Sequence, residues 1–206
     1  MSRGTIALKP LYELLKKEGN NVGLLLQLSG RQAPGHAYTS ACRMIATPSI
    51  PDEQGFYLWG YYNRKRLWKN IYLGKAGLGK GASLRKRILE ELKDERCFAF
   101  RPFKTEDELH KIRIRIHKGK YENHWKRALL KAATTHIIWV TVPHIENEDL
   151  IRIEADLIEA LNPTANLMRP SPPAGVWQQD TQKIFGLLRK EIHKHRGDVF
   201  DLELKI

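Results

Sequence analysis

The chain has 206 residues, 42% of them hydrophobic and 28% charged, which suits one globular domain with additions rather than two full domains. Its net charge of +12 and pI near 9.7 predict attraction to a polyanion. Nucleic acid leads; a membrane surface is the competitor, but the basic residues are spread along the chain rather than gathered beside an apolar helix.

No apolar run approaches the ~20 residues of a membrane span, and the brief Leu24-Leu25-Leu26 run is not a signal core, so a cytoplasmic, intracellular protein is expected. Cys42 and Cys97 are isolated, without the spacing of a structural zinc site or a disulfide framework. Neither internal repeats nor a low-complexity tract is present.

In chain order, residues 1–54 form an N-terminal extension with a helix expected over residues 11–17, started by Pro10 and ended by Gly19. Residues 31–35 carry Gly and Pro, and this part completes the core or forms an arm around DNA, the former reading being preferred. The central unit follows. GFYLWGYY and NIYLGKA are apolar, aromatic-rich runs separated by Asn63-Arg64-Lys65-Arg66, which predicts two strands joined by a hairpin. Gly77, Gly79 and Gly81 punctuate the exit. Ser83 then caps a helix whose Leu84, Ile88, Leu89 and Leu92 share one face, with Arg87 flanking that arc.

Residues 96–131 form a strongly basic insert. Thr105 and Glu108 make a capping-box pattern and Gly119 is a helix stop, whereas Ile112-Arg-Ile-Arg-Ile alternates as a strand; the helix is preferred. Residues 135–142 predict a third strand stopped by Pro143, and 147–161 a helix ended by Asn162-Pro163. On a helical wheel Glu154 falls within the arc of Leu150, Leu157, Ile158 and Leu161, while Asp156 and Glu159 fall on the polar side. A carboxylate placed there needs a partner, either a metal ion or a buried cation for which Arg87 is available. RPSPPAG at 169–175 is a linker or rigid loop, 177–195 a helix with Ile184, Leu187, Leu188 and Ile192 inward, and 199–206 a strand.

The tripeptides Gly55-Phe56-Tyr57 and Tyr72-Leu73-Gly74, the Leu-x-x-Arg ending at Arg87, and the downstream Glu154 and Asn166 together resemble the GIY-YIG nuclease family over residues 55–167. Each tripeptide departs at one hydrophobic position. Glu91 stands one helical turn after Arg87, where many relatives carry His, which puts that His role in doubt here. The resemblance implies an α+β fold, a small mixed or antiparallel three-stranded sheet flanked by helices, with residues 168–206 added as a C-terminal helix and strand. It also implies phosphodiester hydrolysis with one Mg²⁺ (or Mn²⁺) ion held by Glu154.

Under that resemblance Arg87 offsets charge on the transition state, and Tyr57 takes a proton from water. A phenol with an ordinary pKa of about 10 needs a nearby cation to serve as a base, and Lys75 is the candidate. Tyr72 orients water or phosphate; Asn166 orients Glu154 or touches the DNA backbone. Lys80, Arg85, Lys86, Arg113, Arg115, Lys118, Lys120, Lys126 and Arg127 are candidates for contacts to double-stranded DNA, with a solvated charged face as the plainer reading. A site-specific, type II restriction-like endonuclease is expected, as a homodimer if its target is palindromic. A non-catalytic DNA-binding protein and a repair or mobile-element nuclease are the alternatives.

Two other motifs are weaker. Gly74 to Gly81 nearly spells a phosphate-binding P-loop but ends in Gly81 where a hydroxyl residue is required. Glu203-Leu-Lys205 has the E-x-K spacing of PD-(D/E)xK nucleases without an evident upstream Asp.

Overall fold

Successive side chains of a strand point to opposite faces, so Phe56 and Leu58 face one way and Tyr57 and Trp59 the other. In the computed structural model, which describes residues 1–11, 13, 42–44, 48–77, 79, 82–93, 134–166 and 178–199, this alternation builds two cores. Strands β1 (Arg3–Ala7), β2 (Gly55–Tyr62), β3 (Trp68–Ala76) and β4 (His136–Thr141) form one sheet of order β1-β4-β2-β3. All three pairings are antiparallel. Tyr57, Trp59 and Tyr72 pack with Leu84, Ile88 and Leu92 of helix α1 (Leu84–Lys93) on one face. Phe56, Leu58 and Leu73 pack on the other with Leu150 and Leu157 of α2 (Asn147–Leu161) and Ile184 and Leu188 of α3 (Gln179–Lys194).

The hairpin forms where expected. Asn63 Oδ1 accepts the backbone N–H groups of Lys65 (3.0 Å) and Leu67 (2.9 Å), a side-chain turn that reverses the chain between β2 and β3. The sheet has four strands rather than three because the N-terminal segment adds β1 beside β4. That five-residue strand contains Gly4, whose missing side chain makes room for Trp139; a Cβ there would come within 2.6 Å of the indole. With β1 on one side and β2 on the other, β4 is internal, which is why all six of its residues are buried.

Helix α2 has the predicted bounds. Asn162 adopts the left-handed conformation (φ 46°) and its N–H bonds Ile158 O, closing the helix before Pro163. The chain then runs back along the outer edge of β3. Thr164 N–H reaches Asn70 O (3.3 Å) and Ala165 N–H reaches Ile71 O (2.7 Å). The Asn166 side chain accepts from Leu73 N–H (2.8 Å) and donates to Leu73 O (2.9 Å). This covers an edge that would otherwise present unpaired backbone groups.

One wheel assignment is corrected. Glu159 is exposed, but Asp156 is buried and accepts from Thr181 Oγ1 at 3.1 Å. Helix α3 covers the flank of α2 that a single-helix wheel assigns to solvent. The helix expected over 11–17 lies outside the described residues except for Leu11 and Glu13, as do the basic insert, the RPSPPAG loop, and residues 200–206 of the expected last strand.

Candidate active site

Helix α1 starts where the Ser83 hydroxyl accepts the N–H of Lys86 at 3.3 Å, satisfying one of the donors left open at a helix N-terminus. Capped there, the helix carries Arg87 and Glu91 on successive turns towards β2. Tyr57 Oη donates to Glu91 Oε1 at 2.6 Å, and Arg87 Nε donates to the same hydroxyl oxygen at 3.4 Å. Arg87 Nη2 lies 3.4 Å from Glu91 Oε1, closing a triangle of phenol, guanidinium and carboxylate. Tyr72 stands beside it, its ring centroid 6.3 Å from that of Tyr57. Gly74 makes the placement possible, since a Cβ at that position would approach the Tyr57 ring within 2.4 Å.

A second pair forms at the end of β3. Lys75 Nζ and Glu154 Oε2 are in direct ionic contact, and both side chains are mostly buried. Lys75 stands opposite Phe56 in the strand register and so projects to the face of the sheet that α2 covers, where it meets Glu154. Tyr57, Tyr72, Lys75, Lys86, Arg87 and Glu154 all line one open cleft of about 520 Å³. Residues separated by 97 positions in sequence thus share one space.

The electrostatics differ from the sequence expectation. Burial, and then the Glu91 carboxylate, push the Tyr57 phenol well above its ordinary value, while Arg87 pulls it the other way. For Arg87 burial works against the charge, but Tyr57 and Glu91 outweigh it, so the guanidinium is held more firmly protonated. The cation facing Tyr57 is Arg87. Lys75, expected to provide that field, is paired with Glu154, and Arg87, the proposed protein partner of Glu154, is paired with Glu91 instead.

Other expected site residues are placed differently. Both polar groups of the Asn166 side chain are engaged by Leu73, so in this structure the buried Asn166 ties the segment after α2 to β3. Arg85 donates from Nε to Ile50 O at 2.8 Å, anchoring α1 to the preceding segment, whereas Lys86 is exposed at the cleft. Lys80, Arg113, Arg115, Lys118, Lys120, Lys126 and Arg127 lie outside the described residues. Sequence reasoning missed Glu91 as a partner of Tyr57. The available signal is its i,i+4 spacing from Arg87, which places both side chains on one side of the helix.

Among the described residues no group of three or more His, Cys, Asp or Glu side chains could hold a metal, and no helix is long and apolar enough to cross a membrane. Comparisons with protein-family models, curated proteins and solved structures return no match for this chain.

Proposed function

We propose that the chain is a metal-dependent DNA endonuclease of GIY-YIG type, a site-specific enzyme acting on double-stranded DNA. The observation that carries this reading is the shared cleft: two tyrosines, an arginine, a lysine and a carboxylate converge from β2, β3, α1 and α2. The net charge of +12 suits a phosphate backbone as partner.

Glu154 is the residue that would hold the metal. Its carboxylate already faces a cation, the Lys75 ammonium, and a single hard oxygen donor fits Mg²⁺ or Mn²⁺, which fills its other positions with water and phosphate oxygens. When bound, such an ion polarises the phosphate and stabilises the leaving oxygen. Arg87, half-exposed at the cleft, presents a planar fork of donors to the phosphate oxygens. Lys75 keeps Glu154 oriented in the substrate-free state and is within the cleft to meet a phosphate once released. Tyr57 aims the attacking water, and Tyr72 confines it from the neighbouring strand.

A domain with one such cleft cuts one strand at a time, so a double-strand cut at a palindrome calls for a two-fold pair of chains. A DNA-binding protein without cleavage is the second reading. It is favoured by one observation, that Tyr57 is fully buried beneath Glu91 and Arg87 in this conformation. Supercoiled plasmid incubated with the protein in Mg²⁺, with an EDTA control, separates the two. Discrete metal-dependent fragments are expected; intact plasmid bound by the protein would support the second reading.

A further inference from the structure

The proposed base has a problem that the geometry itself resolves. A buried phenol whose ionisation is pushed upward cannot wait as a phenolate for a water proton. It does not have to, because its own proton already points at a carboxylate. We infer that Glu91 is the proton acceptor behind Tyr57, so that Tyr57 relays a proton from the attacking water to Glu91 rather than acting as a free base. This inference rests on the nuclease reading above.

Three features support it. The Tyr57 hydroxyl donates to Glu91 Oε1 at 2.6 Å, within the range of strong O–H to carboxylate bonds. Donation in that direction leaves the oxygen's lone pairs aimed elsewhere, and among the described residues the donor that reaches them, Arg87 Nε, is long at 3.4 Å. Arg87 is half-exposed at the cleft, so a phosphate that draws its guanidinium outward also uncovers the Tyr57 oxygen. Glu91 itself is only 12% exposed, which keeps bulk water from competing for its Oε1. Among the described residues, the ionisable groups facing it include Tyr57 from β2, with Tyr72 beside that ring from β3, and Arg87 from its own helix.

In the step, an O–H bond of water breaks as its proton moves to Tyr57 Oη, and the original Oη–H proton moves to Glu91 Oε1. The water oxygen forms its bond to phosphorus while the bond from phosphorus to the leaving oxygen breaks. The leaving oxygen takes a proton from solvent. Glu91 ends as a carboxylic acid and Tyr57 as the phenol it was, and Glu91 returns its proton to solvent before the next turnover.

Glu91 acts through Tyr57, so it is a positioning residue, and its test must separate proton acceptance from shape. Glu91→Gln keeps the size and an acceptor oxygen but cannot take the proton. Glu91→His restores a base of different affinity. Plasmid cleavage in Mg²⁺ is compared across pH for the parent, Glu91→Gln, Glu91→His and Glu154→Gln, with DNA affinity measured by anisotropy in EDTA.

Glu91→Gln is expected to cleave about 100-fold more slowly near neutral pH with DNA affinity unchanged, in the range typical of a lost proton-transfer group. Glu91→His is expected to recover about tenfold over the Gln variant, with the acid limb of its rate profile near the ordinary imidazole value of about 6.5. A Gln variant as fast as the parent, beside an inactive Glu154→Gln, would overturn the relay while leaving the nuclease reading in place. A slow His variant with the parent's pH profile would reduce Glu91 to a structural support of Tyr57 and overturn the relay too. A parent no faster than Glu154→Gln would remove both. Thermal melting checks the fold of each variant, and should the Gln variant melt early, the pH profile of the His variant decides alone.

Discussion

The two ends of the sheet make an instructive pair, because each buries a tyrosine hydroxyl among ionisable groups. At the cleft end Tyr57 meets Glu91 and Arg87, and open volume lies beside them. At the far end Tyr62 donates to Ile192 O, its ring edge-on to Trp68 and His136. There Glu191 is buried between Arg3 Nε (3.0 Å) and Thr5 Oγ1 (3.2 Å), and His195 Nδ1 bonds Asp198 Oδ2 at 2.7 Å. Burial raises both tyrosines above their ordinary range. A perturbed phenol therefore does not mark a site by itself. What separates the ends is where the charges go: the far end ties β1 to α3, while the cleft end leaves Arg87 and Lys86 facing open space.

Replacing each tyrosine by Phe sharpens that contrast. Tyr57→Phe should slow cleavage about 100-fold, as loss of a proton-transfer group does, with DNA affinity in EDTA unchanged. Tyr62→Phe should leave the cleavage rate alone and lower stability in urea by about 1 kcal/mol, the worth of one hydrogen bond. Equal cleavage by both variants would erase the functional difference between the two ends.

The far end should instead declare itself through acid. Burial lowers the His136 pKa from 6.5 to about 4, with His195 adding to the shift and Asp198 opposing it. The unfolded chain therefore binds this proton more readily than the folded one. The stability tied to neutral His136 is complete above about pH 6.5 and is lost as pH falls towards 4, a change of roughly 3 kcal/mol. His136→Asn, which keeps an acceptor near the Thr135 hydroxyl, should lose less stability than the parent between pH 7 and pH 4. Parallel urea-unfolding curves for the two proteins would contradict the assignment.

The smallest effect is expected at Lys75. Removing its ammonium from Glu154 takes away a competing cation, so Lys75→Met should bind Mn²⁺ a few times more tightly without DNA, as followed by the free-ion signal in electron paramagnetic resonance. Weaker binding would mean that Lys75 prepares the carboxylate for metal rather than competing with it.

Much of the scaffold was legible because its signals are local. Alternating aromatics flank an Asn-led turn at 63–66, Ser83 and Asn162 mark helix ends, and the apolar period of α2 is regular. The convergence of Tyr57, Tyr72, Lys75, Arg87 and Glu154 was what the resemblance to the nuclease family implied, and all five line the cleft. Their pairings were not implied, because a motif names positions and not rotamers. Lys75 meets Glu154 on the face that α2 covers, and Asn166 turns into the β3 edge. No periodicity in either segment encodes such encounters. β1 was missed because five residues including a glycine carry too short a pattern, and its strand character comes from pairing with β4. Asp156 was misplaced since a wheel describes one helix while α3 supplies its second wall.

Cleavage of supercoiled plasmid by Glu154→Gln beside the parent, at equal DNA occupancy in Mg²⁺, tests the central claim most directly. The account predicts discrete products from the parent, at least about a thousandfold loss in the variant as expected when a catalytic metal loses its carboxylate, and matched affinity for DNA. A variant that cuts as fast as the parent would contradict the claim that this cleft performs the hydrolysis.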